Sequence, residues 1–317
     1  MRDISAADVH RLLDYPALIA GLDDAHRGAM PLVERSYLQP DGAREGLLVW
    51  SAVVPGKVMG VKVVTVFPDN TASSPPRPTI QAVVTLFDGV DGRQLATIDG
   101  AALTGWKTAA DSALGAKYLA PADAQVLLMV GAGSMARHLI AAHRAVRPSI
   151  DTVLVWNRTT ERARDLVAEL ADDCISVTED LEAAARSADV ISCATGSALP
   201  LINGAWLQPG CHLDLVGGFT PDMREADDDA IRRASVFVDT RWFTLKDAGD
   251  ICQPIEAGIL AEGDIKGDLF DLARGTAQGR QSGDEITLFK NAGGGHLDLF
   301  CASILYDASR SDSPDLA

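Results

Sequence analysis

A glycine-rich segment near the middle of the chain has the spacing of a nucleotide-binding loop. Gly131, Gly133 and Ala136 form the pattern G-x-G-x-x-A, which follows a short apolar run and opens a helical run. The first glycine permits a tight turn, the second lets the backbone approach a pyrophosphate, and the small alanine lets helix and strand pack closely. Because phosphate binds well at a helix N-terminus, the loop predicts a dinucleotide site that includes Ser134 and Met135.

The end of the next predicted strand indicates which dinucleotide binds. An NAD site usually has an acidic residue there for the ribose 2′-hydroxyl, but the run TVLVW is followed by Asn157, Arg158 and Thr159. Cationic and hydroxyl donors suit a 2′-phosphate, so the sequence predicts NADPH, with NADH as the alternative. Arg158 could otherwise be a solvated loop charge.

The predicted elements around this loop alternate between strands and helices. From about residue 124, apolar runs such as QVLLMV, TVLVWN and DVISCAT alternate with helical runs such as MARHLIAAHRAV and ERARDLVAELA. This order predicts βαβ units and a doubly wound parallel sheet. We therefore predict an α/β protein with a Rossmann NAD(P)-binding domain over residues 119–290.

Three further residues are assigned to the cofactor site. Thr108 and Ala109 begin a helix predicted from about Lys107 to Leu119, and backbone N–H groups at a helix N-terminus favour anions. Thr195 is the last residue of the predicted strand run DVISCAT. All three are expected near the cofactor phosphates or ribose.

The two ends of the chain are expected to pair as a second, smaller α/β domain, residues 1–118 with 291–317. Its β-branched runs predict an antiparallel or mixed sheet. The runs are LLVWSAVV (47–54), VKVVTVF (61–67) and TIQAVVTLFD (79–88). This domain precedes and follows the Rossmann domain in the chain, so its parts must meet after folding.

The charge of the chain limits its partners. Among 317 residues, 44 are acidic and 28 are Lys or Arg, which gives a net charge of −16. Such a surface repels phosphate backbones and anionic lipids, so we expect neither nucleic acid nor a membrane as partner. A small anionic substrate remains compatible with a local basic pocket. The hydrophobic share of 47% is ordinary for a globular protein.

The cysteines indicate a reducing compartment. The five of them are scattered and form no C-x-x-C pair, which argues against a disulfide scaffold and against a zinc site, so we expect no bound metal. The N-terminal run carries acidic residues and is typical of an amphipathic helix rather than a signal peptide. No stretch approaches the roughly 20 apolar residues of a membrane span. We expect a cytoplasmic protein.

Seven segments spread over nearly the whole chain carry a resemblance to a known family. They are GVKVVTVFPDN (60–70), TIQAVVTLFDG (79–89), IDGAALTGWKTAADSA (98–113), VGAGSMA (130–136), VWNRT (155–159), VGGFTPDMRE (216–225) and FKNAGGGHLDL (289–299). Together they resemble the ornithine cyclodeaminase/mu-crystallin family. The resemblance implies a homodimer that pairs through the non-Rossmann domain. It also implies a nicotinamide cofactor and hydride chemistry at a carbon bearing nitrogen and carboxylate.

The resemblance assigns four residues of the smaller domain to the substrate. Arg35 matches an arginine that pairs the substrate carboxylate, and Lys62 matches the active-site lysine. Lys107 stands where the family usually has arginine, and it keeps the charge without the bidentate fork. Trp50 stands in the family's V-M-P-A stretch and is expected to reshape the pocket. Without the resemblance, Lys62 could snorkel to a sheet edge and Lys107 could face solvent.

One departure from the family pattern bears on the reaction. Cyclodeaminases of the family carry an aspartate directly after two glycines, whereas this chain has Phe219 after Gly218. Phenylalanine cannot hold or deprotonate the side-chain amine of ornithine, so cyclodeamination is disfavoured. The resemblance then implies NAD(P)H-dependent reduction of a cyclic ketimine. The substrates would be Δ1-pyrroline-2-carboxylate or its six-membered analogue, and the products L-proline or L-pipecolate.

Ketimine reduction requires a cation for the carboxylate, a proton for the imine nitrogen and exclusion of water. We assign the proton to Lys62 or Asp222. A lysine has a reference pKa of about 10.4, so Lys62 needs burial or a nearby cation to act near neutral pH. Asp222 could instead cap the next turn. His296 could relay a proton or have a structural or interface role.

Two other functions remain open at this point. One is an alanine or N-alkyl amino acid dehydrogenase of the same family, acting on open-chain imines. The other, of a different class, is an NADP-linked protein that binds a small molecule without catalysis. Arg35 and Lys62 favour an enzyme, because a binding protein needs no proton donor.

Overall fold

The computed structural model describes residues 1–75 and 77–312. The chain divides into two units, the first made of residues 1–25, 29–107 and the chain from Gly294 on, the second of residues 26–28 and 108–293. The sequence places the domain boundary near residue 118, whereas the structure divides between Lys107 and Thr108. A continuous helix runs through this point, so the sequence has no loop there to mark the boundary between the two units.

The first unit begins with short helices and continues as a sheet. Its elements are β1 (Arg2–Ile4), α1 (Ala6–Leu12), α2 (Tyr15–Arg27), β2 (Leu32–Leu38), β3 (Gly46–Val54), β4 (Val58–Val66), β5 (Ile80–Asp88), β6 (Gln94–Asp99) and α3 (Gly100–Leu119). In the described part of the chain these strands form a six-stranded sheet in the order β1-β6-β5-β4-β3-β2. Strand β1 is parallel to β6 and the other pairs are antiparallel. The prediction of a mixed sheet is confirmed.

The second unit alternates strands and helices. Its elements are β7 (Val126–Val130), α4 (Ser134–Val146), β8 (Thr152–Trp156), α5 (Thr160–Leu170), β9 (Ile175–Val177), α6 (Leu181–Ser187), β10 (Val190–Cys193), β11 (His212–Leu215), α7 (Asp228–Arg233), β12 (Ser235–Val238), α8 (Arg241–Asp247), α9 (Gly249–Glu256), β13 (Gly267–Asp268), α10 (Leu269–Arg274) and β14 (Thr287–Lys290). Helix α11 (Gly295–Asp312) follows and belongs to the first unit.

The strands of the second unit form a parallel sheet. Over the described residues it has eight strands in the order β13-β12-β14-β11-β10-β7-β8-β9. The central strands are short apolar runs without alternation because helices cover both faces, and β7 and β10 are buried almost throughout. The chain runs outward from β7 to β9 and then returns to β10, so the strand order reverses between β7 and β10. Such a switch point forms a crevice at the carboxyl ends of the strands, where ligands bind.

In the first unit, helix α11 covers one face of the sheet, and the strand register shows which residues lie on that face. A Cβ on Gly60 would lie 2.9 Å from Leu299 of α11, so the face that carries Gly60 is covered by this helix. Arg35, Trp50 and Lys62 pair with one another across β2, β3 and β4 and share that face. A row of three site candidates thus lies across neighbouring strands.

None of the helices over residues 1–75 and 77–312 is both long and apolar enough to cross a bilayer.

Candidate active site

The glycine-rich loop after β7 has the backbone geometry that a dinucleotide needs. Gly131 has a φ of 107°, and a Cβ there would lie 2.7 Å from the carbonyl oxygen of Ala194, so no larger residue fits. A Cβ on Gly133 would have no atom within 4 Å. Gly133 precedes α4 without a side-chain cap, which leaves backbone N–H groups around Ser134 and Met135 to an anion. These residues fit a pyrophosphate.

The three residues after β8 divide into one that shapes the loop and two that face outward. Asn157 Oδ1 accepts from the backbone N–H of Ala132 at 3.1 Å, and its Nδ2 donates to the carbonyl oxygen of Thr159 at 2.8 Å. The amide of Asn157 therefore ties the end of β8 to the glycine-rich loop. Arg158 and Thr159 are exposed beside it. Their side chains are free to meet a ribose 2′-substituent.

The proposed role of Thr108 and Ala109 as a helix N-terminus is wrong. Helix α3 begins at Gly100, and Asp99 Oδ1 accepts from the N–H of Ala102 at 2.9 Å, as an N-capping residue does. Thr108 and Ala109 therefore lie inside the helix, where their N–H groups serve helical hydrogen bonds. Their backbone N–H groups are therefore not free to bind a phosphate.

Two lysines of the first unit converge on one buried carboxylate. Lys62 Nζ lies 3.1 Å and Lys107 Nζ 2.7 Å from Oδ1 of Asp298. Lys62 also donates to Oγ1 of Thr104 at 2.7 Å. Oδ2 of Asp298 has no hydrogen-bond partner among the described residues. We call Lys62, Lys107, Asp298 and Thr104 the lysine cluster.

Burial shapes the charges of the lysine cluster. The exposed fractions are 7% for Lys62, 5% for Lys107 and 4% for Asp298, so neither lysine snorkels to an edge or faces solvent. Desolvation and the Lys107 charge lower the pKa of Lys62 to about 8, although Asp298 opposes them. Burial raises the pKa of Asp298, but the two ammonium groups outweigh it and hold that pKa below its usual value. Two cations facing one anion leave a positive surplus.

Arg35 and Trp50 continue the same row of side chains. The Arg35 guanidinium lies 5.4 Å from the centroid of the Trp50 ring, which indicates a cation–π contact. Trp50 is buried and stands between Arg35 and Lys62 in the register of the sheet. Strands are about 4.8 Å apart, so the backbones of Arg35 and Lys62 are separated by roughly 10 Å. The carboxylate of a small cyclic acid could bind one of these cations while the ring of that acid lies on Trp50.

The remaining sequence candidates are two exposed side chains and one buried side chain beside an aromatic ring. Asp222 is exposed, and its Oδ1 accepts from Oγ1 of Thr220 at 2.5 Å, which lowers the Asp222 pKa. An exposed, ionised carboxyl is a poor proton donor, so the alternative of a turn-stabilising role fits better. Phe219 is 52% exposed. His296 lies in the first turn of α11, edge-on to the Phe300 ring at 6.0 Å.

Sequence reasoning missed Asp298 and Thr104. Asp298 stands in an apolar helical run, HLDLF, where a carboxylate is buried only if it is paired. That signal was available, but it does not say which cation pairs with it. The pairing depends on sheet register and on α11 returning over β4.

The sequence and the fold of this chain are similar to those of known proteins. The family model described as ornithine cyclodeaminase/mu-crystallin family matches residues 8–313. A relative named Delta(1)-pyrroline-2-carboxylate reductase, from Paracoccus denitrificans, is 41% identical over 304 residues, 95% of each chain. The Thermococcus litoralis enzyme of that name, solved with NADH and L-proline, has a TM-score of 0.89 at 28% identity and covers 98% of each chain. An archaeal alanine dehydrogenase dimer with bound NAD has a TM-score of 0.89 at 25% identity, covering 98% of this chain and 97% of that one.

Proposed function

Because this chain belongs to the ornithine cyclodeaminase/mu-crystallin family, we propose that it reduces a cyclic ketimine carboxylate with NAD(P)H. The substrate is Δ1-pyrroline-2-carboxylate or its six-membered analogue, and the product is L-proline or L-pipecolate. The observation that supports this most is the lysine cluster, in which two buried ammonium groups share one carboxylate. A buried positive surplus favours an anionic substrate, and an ammonium with a pKa of about 8 can donate a proton near neutral pH.

The side chains of the first unit bind and protonate the substrate. Arg35 or Lys107 holds the carboxylate and thereby orients the ring. Lys62 Nζ donates its proton to the imine nitrogen, which makes the imine carbon electrophilic. A reduced nicotinamide, when bound, would supply a hydride to this carbon, which forms a C–H bond and turns the C=N double bond into a C–N single bond. Lys62 is then reprotonated from solvent, and Asp298 and Thr104 hold its ammonium in place between cycles.

We assign NADPH as the preferred cofactor, with NADH as the alternative. Arg158 and Thr159 are exposed at the end of β8, and no acidic residue stands there to favour a ribose 2′-hydroxyl. Asn157 holds this segment against the glycine-rich loop. A 2′-phosphate at this place would gain a charge-assisted hydrogen bond from Arg158.

We also propose a homodimer that forms through the uncovered face of the first sheet. Val49, Val63 and Val83 pair across β3, β4 and β5 on the face opposite α11. Leu38 extends this face and is 62% exposed, while Val83 is 37% exposed. A contiguous apolar face of this kind is typical of an interaction surface. A second copy of the chain would cover it.

The proposal is tested by NADPH oxidation with a panel of imines. The panel contains Δ1-pyrroline-2-carboxylate, Δ1-piperideine-2-carboxylate, and pyruvate with ammonia or with methylamine. We expect the cyclic imines to react with the higher kcat/KM. Faster reduction of the pyruvate mixtures would instead assign an alanine or N-alkyl amino acid dehydrogenase. NADPH binding without turnover of any imine would assign a binding protein.

A parallel assay tests the assignment of Phe219. With L-ornithine and NAD, we expect no ammonia above background, since Phe219 has no group that could bind or deprotonate the side-chain amine. Proline formation from ornithine at the rate of imine reduction would contradict this part of the proposal.

A further inference from the structure

A second buried group of charges lies at the carboxyl ends of the strands in the second unit. Glu225, Asp250 and Lys290 are fully buried. Lys290 Nζ donates to Oδ2 of Asp250 at 3.0 Å and to the carbonyl oxygen of Gly217. The reaction proposed above assigns no task to these residues. With Thr195, we call them the glutamate cluster.

Hydrogen bonds connect Glu225 to two loops. Its Oε1 accepts from the backbone N–H of Thr195 at 2.7 Å and from Oγ1 of Thr195 at 2.8 Å. The backbone N–H of Glu225 donates to Oδ1 of Asp250 at 2.7 Å. Thr195 follows β10, and Asp250 lies in the first turn of α9. Glu225 therefore joins the loop after β10 to the start of α9.

The turn after β11 is packed against the same cluster. A Cβ on Gly217 would lie 2.1 Å from the carbonyl oxygen of Thr195 and 2.4 Å from Oε1 of Glu225. Gly218 has a φ of 54°, and a Cβ there would lie 2.2 Å from Oδ2 of Asp250. No side chain fits at either position. The loops after β10 and β11 are thus fixed to one another through Glu225 and Asp250.

The glutamate cluster also reaches the dinucleotide loop. A Cβ on Gly131 would lie 3.2 Å from Cγ2 of Thr195, so Thr195 packs directly against the first glycine. Strands β7 and β10 flank the switch point of the sheet, where a dinucleotide crosses the carboxyl ends. Thr195 is therefore a wall residue of the crevice, and Glu225 lies behind that wall.

Glu225 has an electrostatic strain that a purely structural carboxylate would avoid. Its Oε2 has no hydrogen-bond partner among the described residues, and leaving a buried acceptor unpaired is costly. Burial raises the pKa of Glu225 above its usual value. The Lys290 charge opposes this effect, and the Asp250 charge adds to it. Cys193 of β10 also faces these charges. The fixed position of Thr195 is the benefit that offsets the cost of burying the Glu225 carboxylate.

We propose that Glu225 is a positioning residue for the nicotinamide half of the cofactor: by holding Thr195 and the Gly217–Gly218 turn, it fixes the crevice wall beyond the pyrophosphate. The proposal rests on the proposed function in one respect, that this unit binds NAD(P)H. Thr195 also packs against Gly131, but the adenosine and phosphate half depends on the N–H groups around Ser134 and Met135 and on Arg158. Glu225 makes no hydrogen bond to these groups in the described part of the chain. Loss of Glu225 should therefore affect the two halves of the cofactor differently.

The test compares two nucleotides by fluorescence and calorimetric titration. NADPH has both halves, whereas ADP-ribose 2′-phosphate lacks the nicotinamide. For Glu225→Gln we expect NADPH to bind about tenfold more weakly, with ADP-ribose 2′-phosphate within about twofold of the wild type. The control Glu182→Gln changes an exposed glutamate on α6 and should alter neither affinity.

A pair of variants at Thr195 keeps the test decisive if Glu225→Gln does not fold. Thr195→Val removes the hydroxyl that donates to Glu225 and should weaken NADPH selectively. Thr195→Ser keeps the hydroxyl and should restore the affinity. Equal losses for both nucleotides, or unchanged NADPH affinity in both Glu225→Gln and Thr195→Val, would overturn the proposal.

The outcomes also separate this proposal from the proposed reaction. A wild-type protein that binds both nucleotides but reduces no imine loses its proposed substrate, while the split between the two nucleotides still decides the role of Glu225. If the wild type binds neither of these nucleotides but binds NADH, the choice of NADPH is overturned and NADH and ADP-ribose replace them in the same comparison. A wild-type protein that binds none of the four overturns the role of Glu225 together with the cofactor assignment.

Discussion

At the scale of single residues, the pKa of Lys62 results from opposing effects of burial, Lys107 and Asp298. Burial alone would drive Lys62 toward the neutral amine, and the charge of Lys107 acts in the same direction. Asp298 opposes both effects because it stabilises the ammonium form, and the resulting pKa of Lys62 is about 8. A group that titrates close to the working pH can both give and regain a proton.

Removing the Lys62 amine tests its role in proton transfer. Lys62→Ala should lower kcat by about 10²–10⁴-fold, because a general acid contributes in the transition state rather than in substrate binding. NADPH affinity should stay unchanged, since the glycine-rich loop belongs to the second unit. Lys57→Ala, at an exposed lysine just before β4, is the matched control. A near-normal kcat with a raised KM would reduce Lys62 to a carboxylate ligand.

Neutralising Asp298 tests the electrostatic argument through the pH profile. In the proposed reaction the acid form of Lys62 is the active one, so kcat/KM should fall as pH rises through its pKa of about 8. Asp298→Asn removes the anion that raises this pKa. The alkaline loss of activity should therefore move to lower pH, with the acid side unaffected. We would measure kcat/KM from about pH 6 to 10 and check folding by circular dichroism. An alkaline limb that does not move would show that Lys62 is not the group that titrates.

At the scale of elements, the parallel sheet was predictable and the start of α3 was not. The apolar runs at β7, β8 and β10 follow from burial on both faces, which leaves a strong sequence signal. The sequence predicts this helix only from about Lys107, after the start that the structure gives. The structure shows that Asp99 instead caps a helix beginning at Gly100. This difference moves Thr108 and Ala109 from a helix end to a helix interior.

The candidate site was predictable residue by residue but not as an arrangement. The family resemblance pointed to Arg35 and Lys62, yet the row that joins them through Trp50 follows from strand register. Register is a long-range property, and a shift by one residue would place Lys62 on the opposite face. Asp298 could be suspected as a paired buried acid, but its partners depend on how α11 packs.

The end of β8 carries the prediction on cofactor choice. Arg158→Ala should raise KM for NADPH about ten- to a hundred-fold, because a charge-assisted contact to the 2′-phosphate is lost. KM for NADH should change little, since NADH has no phosphate at that position. Arg232→Ala, at an exposed arginine of α7, is the control. Equal effects of Arg158→Ala on both cofactors would contradict the assignment of NADPH.

At the scale of the whole molecule, the apolar face of the first sheet predicts the oligomeric state. A charge in the centre of that face should separate the subunits, because an unpaired buried carboxylate is costly. We expect Val63→Asp to run as a monomer in size-exclusion chromatography with light scattering, and the wild type as a dimer. Val90→Asp, at a valine that is 82% exposed in the turn before β6, should remain dimeric. An unchanged mass for Val63→Asp would place the interface elsewhere.

Helix α11 gives the protein a particular order of maturation during translation. The ion pair between Lys62 and Asp298 joins residues 236 positions apart, whereas the sheet of the second unit ends at Lys290. A nascent chain can therefore complete the parallel sheet of the second unit before α11 is made. At that stage the face of the first sheet that carries Lys62 lacks both α11 and Asp298. Contacts between such distant residues form late. A chain that stops before α11 has its dinucleotide loop but lacks Asp298, and Lys62 and Lys107 are then left without their shared carboxylate.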